Sequence, residues 1–320
     1  MQWSKQGLVY TPNTQWAWSK THAQVPTVDA SSNKTWRIYY SGRDAINQSH
    51  ISYFDIEAGN PHNILYKHDT PILPLGKLGS FDDGGMMPSS IVTVGDTKYL
   101  YYTGWNVRKS VPYHNAIGLA ISRDGGHTFQ RAGEGPVLGL TLHEPYFIGT
   151  SSVIHDDGLW RNWYAACTGW ELLDGKPEPR YHLKYAESDD GINWRRDGIV
   201  AIDYNSPDEG GLVRASVVRE SRTYQMWYSR RASEGYRTDR QHSYRIGYAE
   251  SSDGVHWARA DEQAGIDVSA AGWDADMIAY PCVVQTSDES FLFYNGNGFG
   301  QSGIGFARRA RYAKPKQLGG

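Results

Sequence analysis

A motif that returns roughly every sixty-odd residues is the strongest constraint on this chain. YHLKYAESDDGINW (Tyr181 to Trp194) matches YRIGYAESSDGVHW (Tyr244 to Trp257), and NAIGLAISRDGGHTF, ending at Phe129, is a weaker third copy. Each copy reads as a strand, a Ser-x-Asp-Gly turn and an aromatic. Upstream lie strands with paired aromatics: RIYYSGRD, YLYYTGWN, RNWYAACTGWE, YQMWYSRR and FLFYNGNG. Upstream again lie short apolar strands, VPTVD, MPSSIV, TSSVI, RASVV and YPCVV. Their second residues, Pro26, Pro88, Ser151, Ala215 and Pro281, are spaced by 62, 63, 64 and 66.

Five units of three or four short strands follow from this spacing. Strong alternation, with no long stretch of helical period, argues against helices. Radial repetition of four-stranded sheets is a β-propeller, which leaves few open sheet edges. The fifth unit runs out after GIGFARRARY, and the N-terminal WSKQGLVYT is placed to supply its missing outer strand. The predicted fold is therefore all-β, a five-bladed β-propeller closed by the N-terminal strand, with residues 1–320 as one domain. A β-sandwich pair is the alternative, and it does not explain five evenly spaced units.

Composition narrows the function. The 32 basic and 35 acidic residues nearly cancel, which gives no electrostatic case for nucleic acid or an acidic membrane surface. No apolar run reaches the roughly 18 residues of a membrane span. The start, MQWSKQGLVY, lacks the charged-then-apolar pattern of a signal peptide. Cys167 and Cys282 read as buried free thiols, so the expected location is cytoplasmic. Twelve Trp, 22 Tyr and 8 Phe supply enough burial to exclude disorder.

Strand direction sorts the candidate residues onto two faces. With the strands of a blade running A to D outward from the axis, D–A and B–C loops share an upper face. A–B and C–D turns share the lower one. The turns of Ser188, Asp190, Gly191 and Trp194, and of Ser251, Asp253, Gly254 and Trp257, fall on the lower face. Their aspartates are expected to accept backbone N–H bonds, a structural use.

The upper face collects His22, Asp82, Asp83, His143, Glu144, Asp208, Glu209, Asp274 and Asp276 ahead of the inner strands. It collects Arg43, Asp44, Trp105, Trp170, Glu171, Arg230 and Arg231 after the second strands. Asp82, Asp208 and Asp274 read as loop caps, and Arg230 and Arg231 as solvated or ion-paired. Arg214 and Tyr280, on inner strands, are placed to line a central well. Loops on a rigid scaffold are where binding residues concentrate.

Carboxylates flanking a bound sugar are what acid-assisted glycosidic cleavage requires. Glu144 or Glu209 is assigned as the acid and Asp83 or Asp276 as the base. Trp105 and Trp170 suit stacking on sugar C–H faces. Arg43, Arg214 and Asp44 are assigned to orient substrate, with His22 and Tyr280 in the same pocket. The sequence requires no cofactor, although His22, His143 and nearby carboxylates offer a mixed N/O set that a divalent metal could occupy.

The five-unit pattern, the Ser-x-Asp-Gly-x-x-Trp turns and the acidic upper ring resemble the five-bladed propeller glycoside hydrolase superfamily. That group includes arabinanases and β-xylosidases, invertases and mannoside phosphorylases; the turns resemble the Asp-box of sialidases and related propellers. In arabinanase-type enzymes the first three inner strands carry an Asp base, a pKa-tuning Asp and a Glu acid. Asp83 and Glu144 are counterparts of the second and third, whereas His22 stands in the first position. Arg43-Asp44 is similar to the Arg-Asp of invertases, but Ala45 departs from that motif. The resemblance implies an intracellular carbohydrate-active enzyme with a small-molecule sugar or sugar-conjugate substrate. Two alternatives stay open: another enzyme class using this pocket on a small anionic metabolite or nucleotide sugar, and a non-catalytic sugar-binding propeller.

Overall fold

The computed structural model describes residues 2–311; residue 1 and residues 312–320 of the expected unit lie outside the described residues. The order begins with β1 (Ser4–Tyr10), then β2 (Thr21–Asp29), β3 (Thr35–Arg43), β4 (Ser49–Glu57) and β5 (Asn60–Lys67). Next come β6 (Gly85–Val94), β7 (Thr97–Val107), β8 (Tyr113–Ser122) and β9 (Gln130–Arg131). Then β10 (Ile148–Asp156), β11 (Leu159–Leu173), β12 (Lys176–Ser188) and β13 (Val200–Ile202). After these are β14 (Glu209–Glu220), β15 (Thr223–Ala232), β16 (Arg245–Ser251) and β17 (Ala258–Arg259). Last are β18 (Ala279–Gln285), β19 (Glu289–Asn295) and β20 (Ile304–Ala310). The fold is all-β, and no described helix is long and apolar enough to cross a membrane.

Each group is an antiparallel meander. Single parallel bridges, Ser49 to Gly85 and Tyr181 to Gly211, join the first group to the second and the third to the fourth. β1 pairs antiparallel with β20, giving the last group its fourth strand in the order β1-β20-β19-β18.

The aromatic doublets explain how the groups pack. Successive strand side chains point to opposite sheet faces, so two adjacent aromatics serve two neighbours at once. Tyr39 joins a core shared with the second group, while Tyr40 joins one shared with the last. Tyr101 and Tyr102, Trp163 and Tyr164, Trp227 and Tyr228, and Phe293 and Tyr294 divide in the same way. All ten rings are buried. Full burial of one such side chain contributes about 1.5–3 kcal/mol.

The innermost strands pack in the sequence β2, β6, β10, β14, β18 and back to β2. They splay too far for a continuous backbone ladder, and short polar side chains bridge the gap. The Ser90 hydroxyl accepts from Val153 N–H at 3.0 Å, Ser152 from Val217 at 3.2 Å and Ser216 from Val283 at 2.8 Å. Between the last and first groups the Cys282 thiol takes the place of serine and accepts from Val28 N–H at 3.5 Å. Buried N–H groups require partners, which gives the small polar residues of these apolar strands a structural reason.

The Ser-x-Asp-Gly turns sit between third and fourth strands. Asp190 Oδ1 accepts the N–H groups of Ile192 and Asn193, both at 2.8 Å. Gly191 has φ 74°, where a side chain is strained. The Gly191 carbonyl accepts from Tyr101 of the preceding group at 2.6 Å, and Gly254 accepts from Trp163 at 2.8 Å. These hydrogen bonds hold the Asp124, Asp190 and Asp253 carboxyls far below the usual carboxylate range, with solvent still reaching them.

Candidate functional site

The opposite end of the inner strands draws side chains from all five groups. Tyr181, Tyr236 and Tyr244 are buried there, while Tyr113 and Tyr280 stay half-exposed. The Tyr181 and Tyr244 hydroxyls are hydrogen-bonded to each other. Tyr244 lies 6.0 Å, ring to ring, from both Tyr280 and Phe299. Trp170 packs edge-on against Tyr113 at 5.4 Å and Phe147 at 5.7 Å. The long hairpin of β11 and β12 carries Trp170 and Glu178 above the inner strands.

Arg231 is the cation at the centre of this cluster. It is 3% exposed, donates from Nε to Tyr181 Oη at 2.9 Å and lies over the Tyr236 ring at 3.8 Å. Its remaining donors meet the carbonyls of Pro179 and Ala232. The expectation that Arg231 is solvated or ion-paired is corrected: no described carboxylate lies within ion-pair distance of it. Arg237 pairs with Glu178, which also accepts from Tyr236 Oη at 2.5 Å. Burial works against the Glu178 anion, but these two partners bring its pKa below the ordinary carboxylate value.

Arg43 and His22 bring the first group to the same end. Arg43 donates to Gln24 Oε1 at 3.0 Å, and Gln24 donates onward to the Phe299 carbonyl at 2.6 Å. The guanidinium is close enough to Tyr280 for the two to interact electrostatically. Burial and the Arg43 charge push His22 down to about 4, so its ring is neutral at pH 7.

The carboxylates assigned to catalysis are arranged differently. Glu144 is 5% exposed; its oxygens accept from Tyr164 Oη at 2.7 Å, Lys184 Nζ at 3.1 Å and Arg196 Nη1 at 2.8 Å. Glu209 is held by both terminal nitrogens of Arg259, at 2.8 and 2.9 Å, and by Asn205 N–H. Asp82 accepts from Tyr102 and Arg131, and Asp274 from Tyr294 and Lys5. One clamp thus recurs: an acid before the inner strand, the second tyrosine of the aromatic doublet, and a cation from the outer part of the same group. In the fourth group Asp261 takes the tyrosine, Tyr228, and shares Arg259 with Glu209.

Asp83 Oδ2 accepts from Gly79 N–H at 2.7 Å and is half-buried. Asp276 is exposed, its backbone held by Asn297 and Arg245. Asp44 caps its own turn through the N–H groups of Ile46 and Gln48 and meets His50 at 3.1 Å. Trp105 is pinned by Ser49 Oγ at 2.6 Å and packs on Gly84 and Gly85. Arg214 crosses between inner strands, donating to the carbonyls of Ser89 at 2.5 Å and Pro26 at 2.9 Å. Its terminal nitrogens are thus engaged by main chain and by Thr27 Oγ1, while Nε is buried without a hydrogen-bond partner among the described residues. His143 is exposed and His22 buried, and no three described His, Cys, Asp or Glu residues converge as a metal set.

Of the residues assigned from sequence, the structure brings Arg43, Tyr280 and Trp170 to the cluster. Strand direction put Arg231 on this face, as a solvated or ion-paired cation, whereas Tyr113, Glu178, Tyr181, Tyr236, Arg237 and Tyr244 were missed. Tyr181 and Tyr244 did carry a signal: they open the two best repeat copies, 63 residues apart, at the upper end of their strands. Open surface depressions beside Phe129 and Arg131, and beside Arg308 and Arg311, lie at outer strands and hold no comparable set.

Among solved structures, a glycosyl hydrolase from Bacteroides ovatus superposes with TM-score 0.71 at 16% identity, covering 98% of this chain and 96% of its own. A thermostable family-43 glycoside hydrolase gives 0.66 at 16% identity over 96% of this chain and 94% of its own. BT0996, solved as an RGII complex, gives 0.68 at 18% identity over 98% and 95%. These likenesses show the fold of propeller glycosidases. No family model matches the chain. Two proteins of Mycobacterium tuberculosis, "Uncharacterized protein Rv1502" of strain H37Rv and "Uncharacterized protein MT1551" of strain CDC 1551, are each 38% identical over 307 residues. That match spans 96% of this chain and 99% of theirs, so the chain belongs to the family of these mycobacterial proteins, on a propeller glycoside hydrolase fold.

Proposed function

We propose that this protein is a carbohydrate-active enzyme whose sugar substrate enters the tyrosine–arginine cluster at the upper end of the inner strands. The strand groups are taken as the five blades of one ring, closed through β1. The cyclic packing of the inner strands and the Cys282–Val28 contact support that reading. The observation that carries the function is the convergence of Tyr113, Trp170, Tyr181, Tyr236, Tyr244 and Tyr280 with Arg43 of the first blade and Arg231 and Arg237 of the fourth. Aromatic faces suit sugar C–H faces, and tyrosine hydroxyls and guanidinium forks supply the directed donors that fix a hydroxylated ring.

In this reading Asp83 and Asp276 are the carboxylates available for proton transfer, whereas Glu178, like Glu144, has both oxygens engaged by a cation and a tyrosine. Glu144 and Glu209 act as clamps, because a carboxylate whose oxygens are occupied by cations and a tyrosine is not free to deliver a proton to a leaving oxygen. The RGII complex of the superposed BT0996 supports a carbohydrate substrate. A cytoplasmic setting is part of the proposal, supported by the free thiols of Cys167 and Cys282. The test is incubation with a mixed oligosaccharide and glycoside panel, with products read by mass spectrometry. Turnover is expected, with loss in Asp83→Asn or Asp276→Asn while the melting temperature holds. Saturable binding with no product would replace the enzyme by a sugar-binding module.

A further inference from the structure

Three guanidiniums, Arg43, Arg231 and Arg214, lie in or beneath the cluster, and no described carboxylate stands within ion-pair distance of any of them. This is unusual chemistry. Taking a charge out of water costs several kcal/mol, and buried charges are ordinarily paired. Elsewhere the protein keeps that rule: Arg37, Arg131, Arg196 and Arg259 each meet a carboxylate. Arg214 donates from its terminal nitrogens to main-chain carbonyls and Thr27 Oγ1. Arg43 and Arg231 instead have only neutral partners: Gln24 and Asn47 for one, Tyr181 and two carbonyls for the other.

Against Arg43, Arg231 and Arg237 the cluster sets one carboxylate, Glu178, which feels the Arg231 charge as well as that of Arg237, so the cations are in excess. Glu178 is engaged by Arg237, and Asp44, next to Arg43 in sequence, turns to its own loop and to His50. The half-buried Tyr280 ring lies 6.0 Å from Tyr244, whose hydroxyl is bonded to Tyr181, the acceptor of Arg231. Tyr113 and Trp170 complete an apolar wall on the other side.

Resting on the reading of this cluster as the sugar site, we infer that the substrate carries an anionic group, a carboxylate or a phosphate, received by Arg43 with the Tyr280 hydroxyl as a further donor and the buried Arg231 charge behind them. Both anions accept from a guanidinium fork. The ligand class is therefore an acidic sugar, either a uronic acid or a sugar phosphate. The missing countercharge of the pocket is the substrate's own.

Isothermal titration of the full chain with inorganic phosphate, glucose 6-phosphate, glucuronate and glucose tests this. At least one anionic probe is expected to bind ten-fold or more tightly than glucose and to weaken as salt rises. Arg43→Gln is expected to reduce that binding about ten-fold or more, equivalent to about 1.4 kcal/mol, and to weaken glucose by clearly less. Preference for phosphate and glucose 6-phosphate identifies a sugar phosphate; preference for glucuronate identifies a uronic acid. Should Arg43→Gln fail to fold, Tyr280→Phe gives the same readout, because it removes the hydroxyl donor and keeps the ring. Glucose binding as tightly as every anion would overturn the inference and leave the sugar site standing. Anion binding unchanged in both folded variants would overturn it too. Absence of binding by all four probes would sink the inference and count against the sugar site.

Discussion

Glu144→Gln separates a clamp from a general acid. The side chain of Glu144 is 5% exposed, and its two cationic partners, Lys184 and Arg196, are 12% and 15% exposed. An amide in its place leaves both cations buried without an anion and turns an N–H₂ donor toward one of them. Removing one partner of a buried ion pair costs about 3–5 kcal/mol. Arg196 keeps its bond to the Gly139 carbonyl and Tyr164 can still donate to the amide oxygen, so the lower end, about 3 kcal/mol, applies. At about 2–4 °C per kcal/mol for a chain larger than 150 residues, the midpoint should fall by about 6–12 °C. Thermal unfolding followed by circular dichroism measures this, with Asp276→Asn as an exposed control expected within about 0.5 kcal/mol of wild type. A Glu144→Gln protein melting within about 2 °C of wild type, yet inactive, would refute the clamp and restore the residue as the acid. The same reasoning would then fail for Asp82, Glu209 and Asp274.

Two further outcomes follow from the fold. Ser216→Ala leaves the Val283 N–H buried without its acceptor and should cost about 1–3 kcal/mol in urea unfolding; no loss would show that the inner strands do not depend on their serine bridges. His22 has its folded pKa lowered to about 4, below the value of about 6.5 expected in the unfolded chain. The unfolded chain thus binds more protons between those values, and stability should rise with pH across that window. The contribution is complete above about pH 6.5 and lost as the pH falls toward 4. His22→Gln should flatten the curve there, on the order of 2–3 kcal/mol, and an unchanged slope would place the pH dependence elsewhere.

The strand pattern was legible in the sequence because it is local. The aromatic doublets, the Ser-x-Asp-Gly turns and the evenly spaced inner strands all follow from side-chain alternation and turn chemistry within a few residues. The segregation of the turns from the charged loops was legible too, since strand direction alone decides it.

The division of labour among the acids was not. Asp83 and Glu144 look alike as residues ahead of inner strands, yet only Glu144 meets cations, from Lys184 and Arg196 some 40 and 52 residues further along. Such a partner is chosen by the return path of the outer strands. Arg230 and Arg231 are likewise adjacent in sequence, and alternation along β15 sends one toward Asp261 and the other into the tyrosines. What the sequence by itself determined is the repeating strand and its two faces. What only the tertiary structure decided is which charges find a countercharge within the protein and which keep theirs unpaired, because that depends on segments distant in sequence meeting around one axis.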